Sequence, residues 1–248
     1  MATPKKKYGH NQEPRLSANQ LAEYLNATPN RRKGIVRDAK YPKTSIVARY
    51  DSAWDAITKY LCNDGRPSID LVEAMERQKT REKKPGATPW VQQDARLSIE
   101  AIDAFMKSYN KLGLTKLSCK PITGAQPKLS ISGVDISVSL DATTHRNGAS
   151  DEPRVGGMIL VFSKAEASTA AREQRCRTSA VLATLFAAKH LTASGAVDPK
   201  LCFSLDVFAG CMYPAPGSYV KRLSQMEVSC EEVALRWPTI DPPDDYDG

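Results

Sequence analysis

The chain has 248 residues, of which 41% are hydrophobic and 25% are charged, and its formal net charge at pH 7 is +7. These are ordinary values for a globular protein long enough to bury a core, and they exclude a low-complexity chain. No apolar run reaches the length of a membrane-spanning helix, so we expect no membrane association.

The cysteines and histidines argue against a zinc site and against a disulfide framework. The six cysteines are Cys62, Cys119, Cys176, Cys202, Cys211 and Cys230. No two of them have the close spacing of a zinc-binding pair, and the three histidines are scattered along the chain. The basic cluster near the first residue is not followed by the apolar segment of a secretory signal. We therefore expect reduced cysteines in a cytoplasmic protein.

The positive charge is concentrated in the first third of the sequence. Residues 1–84 contain 18 Lys and Arg against 10 Asp and Glu, whereas residues 85–248 contain 17 against 18. Such an asymmetry favours contact with a polyanion. We expect nucleic acid as the partner, with DNA favoured. A charge excess that only keeps the protein in solution is the alternative.

The first 86 residues read as a basic arm followed by helices. We expect residues 1–16 to be disordered and residues 17–86 to be helical, with a short helix over 17–25 and a basic helix over 31–40. A further helix over 50–61 would complete a helix-turn-helix-like outline. A plain helical bundle with a solvated basic face fits the same pattern. The candidate nucleic-acid-binding residues are Lys5, Lys6, Lys7, Arg31, Arg32, Lys33, Arg37 and Lys40.

A charged helix over 69–84 ends at the breaker Pro85–Pro89, where we place a domain boundary. The second domain would span 90–238 and begin with an amphipathic helix over 95–112. Residues 134–143 alternate apolar and polar side chains, which is typical of a half-buried strand. Other strands are predicted over 129–132, 157–162, 201–208 and 211–213, helices over 165–191 and 219–237, and a disordered acidic tail over 239–248. The predicted fold class is therefore α/β, a helical N-terminal region plus a mixed β-sheet flanked by helices.

The order helix, three strands, helix, two strands, helix over residues 95–237 resembles the restriction-endonuclease-like fold of the PD-(D/E)XK nucleases. In that family, one acid ends the second core strand, and a second acid and a lysine lie on the third strand. The two carboxylates hold Mg²⁺, and the lysine helps to place or activate the attacking water. The resemblance thus implies a restriction-endonuclease-like fold and Mg²⁺-dependent hydrolysis of nucleic acid.

Carried onto this chain, the resemblance assigns Asp141 as the first acid and the metal ligand. The window for the second acid and the lysine is Gly-Gly-Met-Ile-Leu over residues 156–160, which contains neither. Lys164 could replace the lysine, and Asp206 is the first choice for the second carboxylate. Glu100 and Asp103 are further choices. Alternatively, Asp206 is a buried strand carboxylate paired with an arginine, and His145 is a solvated loop histidine.

Three functions follow from these observations. The first is a nucleic-acid-binding protein whose nuclease-like C-terminal domain is inactive and which acts as a recognition or scaffolding subunit in a larger complex. The second is an active Mg²⁺-dependent DNA nuclease, for example in defence against foreign DNA. The third is a protein–protein adaptor with an incidental basic arm. The missing window acid favours the first, and the sequence leaves open whether the chain is an enzyme.

Overall fold

A computed structural model of the chain describes residues 6–44, 49–147, 152–162 and 169–247. It confirms the predicted α/β class, with mixed sheets flanked by helices. The helices in chain order are α1 (Ala18–Asn26), α2 (Pro29–Lys40), α3 (Asp51–Cys62), α4 (Ser68–Glu82), α5 (Pro89–Ser108), α6 (Thr169–His190) and α7 (Val220–Arg236). The strands are β1 (Arg15–Ser17), β2 (Ser118–Pro121), β3 (Lys128–Ile131), β4 (Val134–Ser137), β5 (Ala142–Asn147), β6 (Pro153–Val161), β7 (Ala196–Val197), β8 (Phe203–Asp206) and β9 (Cys211–Pro214).

The chain forms two compact units, and their limits differ from the boundary expected at Pro85–Pro89. Unit 1 contains Met1–Val47, Ala125–Ser139 and Ser218–Gly248, and unit 2 contains Ala48–Gly124 and Leu140–Gly217. Each unit is therefore built from segments that are distant in sequence. Turn-forming residues mark chain reversals inside a unit as readily as borders between units, which is why the Pro–Gly breaker was a poor guide.

Unit 1 packs α1, α2 and α7 around a small sheet with the strand order β1-β4-β3. Ser17 caps α1, and its side chain and that of Gln20 each accept from the other residue's backbone N–H in a capping box. Strands β3 and β4 form a hairpin whose turn, Ser132 and Gly133, has positive φ at both positions. Both α2 and α7 pack on α1 in this unit.

The expected third helix of the helix-turn-helix outline belongs to unit 2. It is α3, which packs on α4 and α5 through its buried residues Ala53, Ile57 and Leu61. The apolar spacing predicted α3 correctly. Such spacing shows that one face of a helix is buried, but it does not show which other elements pack against that face. The outline of three consecutive helices in one bundle was therefore wrong.

Unit 2 contains a mixed sheet with the strand order β2-β5-β6-β8-β9, to which β7 adds beside β6. Strands β6 and β8 are parallel and are joined through α6, and the other neighbours in the main order are antiparallel. Met158 and Leu160 of β6 face the cluster formed by α3, α4 and α5. The intervening residues of β6 and β8 face α6, where Ser204 Oγ donates to the Cys176 carbonyl over 2.8 Å.

The strand predicted over 134–143 is two strands in two different sheets. Strand β4 ends at Ser137 in unit 1, and β5 begins at Ala142 in unit 2. Val138 and Leu140 between them are buried, so the alternation of apolar residues continues through the break. Alternating apolar and polar residues indicate which side chains are buried, but they do not indicate which neighbouring strand a segment pairs with. The sequence pattern therefore could not show that the chain passes from one sheet to the other between β4 and β5.

Two adjacent glycines of β6 are required by close packing. A Cβ on Gly157 would lie 2.5 Å from Leu140 Cδ1, and a Cβ on Gly156 would overlap the backbone of Leu201. Real side chains do not approach so closely, so a side chain at Gly156 would displace the Leu201 backbone, and one at Gly157 would require the buried Leu140 side chain to move. The Gly-Gly pair is thus explained by the approach of neighbouring chain segments to the strand.

Both chain ends of unit 1 are more ordered than predicted. Residues 6–16 were expected to be disordered, yet Tyr8 is buried and Arg15 begins β1. The tail expected over 239–248 is also placed as far as residue 247, and the Tyr8 hydroxyl donates to Asp245 over 2.8 Å. Opposite charge at the two ends favours this pairing, which short-range sequence patterns do not reveal.

Candidate functional site

Asp141, the candidate metal ligand, lies just before β5, where its backbone N–H donates to the Met158 carbonyl over 2.8 Å. The Trp54 indole Nε1–H of α3 donates to Asp141 Oδ1 over 2.5 Å, and the Leu160 backbone N–H donates to Oδ2. Burial raises the pKa of Asp141 to about 6, and the two donated hydrogen bonds oppose that rise. Both oxygens of this carboxyl group are therefore already engaged by protein donors.

Asp206, the candidate second carboxylate, ends β8 and is 1% exposed. Arg172 of α6 binds it in a forked arrangement, with Nε 3.0 Å from Oδ2 and Nη2 2.6 Å from Oδ1. The Ala209 backbone N–H donates to Oδ1 over 2.9 Å. A carboxylate this buried needs such compensation, and the predicted alternative of an arginine-paired strand carboxylate describes Asp206.

Strand β6 separates the two carboxylates. Asp206 is the register partner of Val161, so its side chain shares the face on which α6 packs. Asp141 instead bonds to Leu160 in the plane of the sheet and to Trp54 of α3, which covers the opposite face. The structure therefore does not bring Asp141 and Asp206 to one metal-sized site.

Two further proposed members of a magnesium site, Glu100 and Asp103, lie on α5. Asp103 pairs with Lys107 at 2.6 Å along α5, Glu100 lies on the same helix, and Lys164 lies outside the described residues. In the part of the chain that the structure describes, no group of three or more His, Cys, Asp or Glu side chains could hold a metal ion. The described donors thus do not fit Mg²⁺ around Asp141.

The two arginines at the start of α2 are tied to other groups of unit 1. Arg31 Nε lies 2.7 Å from Glu23 Oε1, and its Nη1 lies 3.9 Å from Asp38. Arg32 donates to the Tyr24 carbonyl over 3.1 Å, and its guanidinium lies over the Tyr24 ring. These contacts hold both guanidinium groups close to the helix surface. We therefore rank Arg31 and Arg32 below Lys33 and Arg37 as phosphate ligands.

Lys40 has a structural role that the sequence prediction missed. It is buried, and its ammonium group donates to the carbonyls of Trp237, Pro238 and Ile240 at 2.8, 3.4 and 3.0 Å. These carbonyls follow α7, and the Trp237 carbonyl also accepts from the Ile240 backbone N–H over 3.4 Å. The candidate assignment of Lys40 to a nucleic-acid surface is therefore corrected, because its three donors are used inside unit 1.

Lys33 and Arg37 are exposed and share one side of α2 with Asn30 and Gly34. The spacing of these four residues puts them in a single stripe along the helix. Within the described ranges neither Lys33 nor Arg37 has an ion-pair partner. The stripe forms one wall of a cleft of about 660 Å³. We call this wall the α2 stripe.

The opposite wall of the cleft comes from the C-terminal segment of unit 1. It includes Arg236 and the acids Asp241 and Asp244. The adjoining basic residues of the N-terminal arm also meet acids: Lys7 Nζ lies 3.7 Å from Asp245, and the Lys7 backbone N–H donates to Asp247. Lys6 is exposed, and Lys5 lies outside the described residues. The sequence prediction did not include Arg236 or these acids, although the acidic tail opposite a basic arm was a usable signal.

Comparison with known proteins adds no assignment. No family model matches the chain, and no curated protein matches its sequence. Among the residues that the structure describes, no helix combines the length and the apolar character needed to cross a membrane.

Proposed function

We propose that the protein binds nucleic acid, with DNA as the favoured form, through the α2 stripe, and that unit 2 is a nuclease-like but inactive domain. The observation that carries the proposal is the pair of exposed cations Lys33 and Arg37 on one face of a helix, neither of which has an ion-pair partner among the described residues. Phosphate contacts by such residues supply most of the non-specific affinity of DNA-binding proteins. The chain then acts as a recognition or scaffolding subunit.

The shape of the α2 stripe supports a duplex partner. An α-helix fits the major groove of B-DNA, where Asn and Arg side chains can form paired hydrogen bonds with base edges. Asn30 and Arg37 stand at the two ends of the stripe, and Gly34 between them has no side chain. A Cβ at Gly34 would approach only the Arg31 side chain, at 3.7 Å, so there is free space beside Gly34 on the cleft side of the helix.

Three elements of the predicted nuclease-like order, β3, β4 and α7, belong to unit 1. Within unit 2, the order α5, β2, β5, β6, α6, β8, with β2 in place of the strand predicted over 129–132, supports a likeness to the nuclease fold, and the state of its carboxylates supports inactivity. Asp206 is neutralised by Arg172, and Asp141 is bound by Trp54 and Leu160. A metal-dependent hydrolase needs carboxylate oxygens that are free to face the metal and the attacking water. A cleavage assay with Mg²⁺ and Mn²⁺ on single- and double-stranded DNA and on RNA tests this part. Cleavage that Asp141→Asn abolishes would contradict inactivity.

The binding part is tested by the double substitution Lys33→Ala with Arg37→Ala. Its affinity for a 20-base-pair duplex, followed by fluorescence anisotropy at low salt, should fall about tenfold or more. The matched control is Lys59→Ala with Lys111→Ala, two exposed lysines of unit 2. Equal losses in both double variants would show that only total charge matters. No binding by the unaltered chain would favour the adaptor alternative.

A further inference from the structure

Unit 2 has a second basic concavity, remote in sequence from the α2 stripe. It is a depression of about 440 Å³ at the edge formed by β2, β5 and β6. Its polar lining consists of Lys120, Thr143, His145, Arg146, Arg154 and Ser194. No acid is among the described residues that line it. We call it the β5 depression.

The β5 depression brings like charges into direct opposition. Arg146 of β5 and Arg154 of β6 are register partners across the antiparallel pair. Like charges placed directly opposite on neighbouring strands destabilise a sheet. Each arginine also has a carboxylate neighbour, and an anion bound in the depression would reduce the repulsion that remains.

Lys120 is a third cation in the lining of the β5 depression. Burial lowers the pKa of His145, and the charge of Lys120 lowers it further. Lys120 is the register partner of Thr143, whose hydroxyl lies 2.9 Å from His145 Nε2. The charge of Lys120 on β2 therefore acts on the His145 imidazole of β5.

The carboxylates nearby do not close the site. Arg146 lies 3.1 Å from Asp198, and Arg154 lies 3.6 Å from Glu152, which is largely exposed. Asp198 also accepts a hydrogen bond from the Lys200 backbone N–H over 2.9 Å. The exposed Arg154–Glu152 pair contributes little energy, so a ligand with two or more negative charges can replace it. The Asp198 side chain is mostly buried and remains beside Arg146, whose guanidinium has further N–H groups to share with a ligand.

We propose that the β5 depression binds the phosphate group of an anionic ligand, with Arg146, Arg154 and Lys120 as its cationic donors. Arginine forks suit the geometry of phosphate oxygens, and the hydroxyls of Thr143 and Ser194 add neutral donors. The volume accommodates a nucleotide-sized molecule. The phosphate comes either from a free phosphorylated molecule or from a nucleic-acid backbone. The site is independent of the α2 stripe and does not rest on the proposed function.

The experiment titrates the full chain with pyrophosphate, with a nucleoside 5′-monophosphate and with a short single-stranded oligonucleotide, using calorimetry. The variant is Lys120→Gln with Arg154→Gln, and Lys120→Gln alone serves if the double variant does not fold. The control is Lys111→Gln, an exposed lysine of the same unit. We expect the variant to weaken binding at least tenfold and the control to leave it unchanged. The Lys33→Ala, Arg37→Ala chain should retain pyrophosphate binding.

The outcomes separate the two sources of phosphate. Binding of pyrophosphate or the monophosphate that is lost in the variant assigns a free phosphorylated ligand. Binding of the oligonucleotide alone, lost in the same variant, assigns the nucleic-acid backbone. The His145 imidazole resonance supplies a second readout, since a bound anion should raise the pKa of His145. Absence of binding by all three probes, or binding that the variant leaves unchanged, overturns the proposal.

Discussion

The indole N–H of Trp54 donates to Asp141 Oδ1 over 2.5 Å, linking α3 to the start of β5 inside unit 2. Trp54 is 41% exposed, so this bond lies at the edge of the packed core. Asp141 keeps a raised pKa of about 6 in spite of this donor and the Leu160 N–H, because burial outweighs both. The carboxyl group thus titrates between the ordinary range of an aspartate and neutrality.

The first prediction concerns how Asp141 affects stability as the pH changes. Its folded pKa lies above its unfolded value, so the folded chain binds more protons between about pH 4 and pH 6. The contribution of Asp141 to stability is therefore full at low pH and is lost as the pH rises through 6. The free energy of unfolding of Asp141→Asn minus that of the unaltered chain should rise over this window by at most about 3 kcal/mol.

Urea unfolding of both chains from pH 4 to pH 7.5 measures this difference. The other titrating groups are common to the two chains and largely cancel in the subtraction. The asparagine amide will also lose one of the two accepted hydrogen bonds, which shifts the difference by a constant amount. A difference that does not change with pH would show that Asp141 titrates normally.

The second prediction concerns the Arg172–Asp206 pair. Arg172→Leu leaves a buried, uncompensated carboxylate and should destabilise the chain by about 3–5 kcal/mol. Adding Asp206→Leu removes the orphaned charge, so the double variant should recover a large part of that loss. Denaturant unfolding of the two single variants and the double variant completes the cycle. Additive losses would mean that the two side chains do not depend on each other.

The third prediction separates Lys40 from the nucleic-acid surface. Lys40→Met keeps the length of the side chain but removes the donors to the carbonyls of Trp237, Pro238 and Ile240. We expect a loss of about 1.5–3 kcal/mol in the free energy of unfolding, because three carbonyls lose a charged donor. The affinity of the folded variant for duplex DNA should stay within about twofold. A large loss of affinity without a loss of stability would return Lys40 to the phosphate-binding set.

The fourth prediction concerns the acids that face the α2 stripe. Asp241 and Asp244 line the same cleft as Lys33 and Arg37, so their charges oppose an incoming phosphate. Asp241→Asn with Asp244→Asn should therefore tighten DNA binding by about threefold to tenfold at low salt, and less at high salt. Asp64→Asn, an exposed acid of unit 2, is the control. Weaker binding in the double variant would show that the two acids help to build the site.

The local patterns predicted most helices well because helix signals are short-range. Apolar spacing and charge located α2 and α5, but Pro29 and Pro89, which the sequence pattern marks as breaks, are the first residues of these helices, so α5 begins six residues earlier than the predicted start at residue 95. Pairing between strands depends on partners far along the chain. Thus the split of 134–143 between two sheets, and strands β1 and β2, escaped the prediction.

The candidate site shows the same limit. Charge placement directed attention to α2, and Lys33 and Arg37 are indeed exposed. Charge placement could not show that the Lys40 side chain points inward to the Trp237 carbonyl, nearly two hundred residues away in sequence. The direction of a side chain depends on the residues that pack around it. The sequence predicted that Asp206 could pair with an arginine, but it did not identify that arginine. The partner is Arg172, and only the position of α6 on the sheet shows this.

The most direct test of the central claim is the salt dependence of duplex binding. The logarithm of the affinity should fall linearly with the logarithm of the salt concentration, with a slope of about −0.9 for each phosphate contact. Removing Lys33 and Arg37 together should therefore make the slope shallower by about 1.8. The account predicts that change in Lys33→Ala with Arg37→Ala, and no change in Lys59→Ala with Lys111→Ala. Equal slopes in the unaltered chain and the Lys33, Arg37 variant would contradict binding through the α2 stripe.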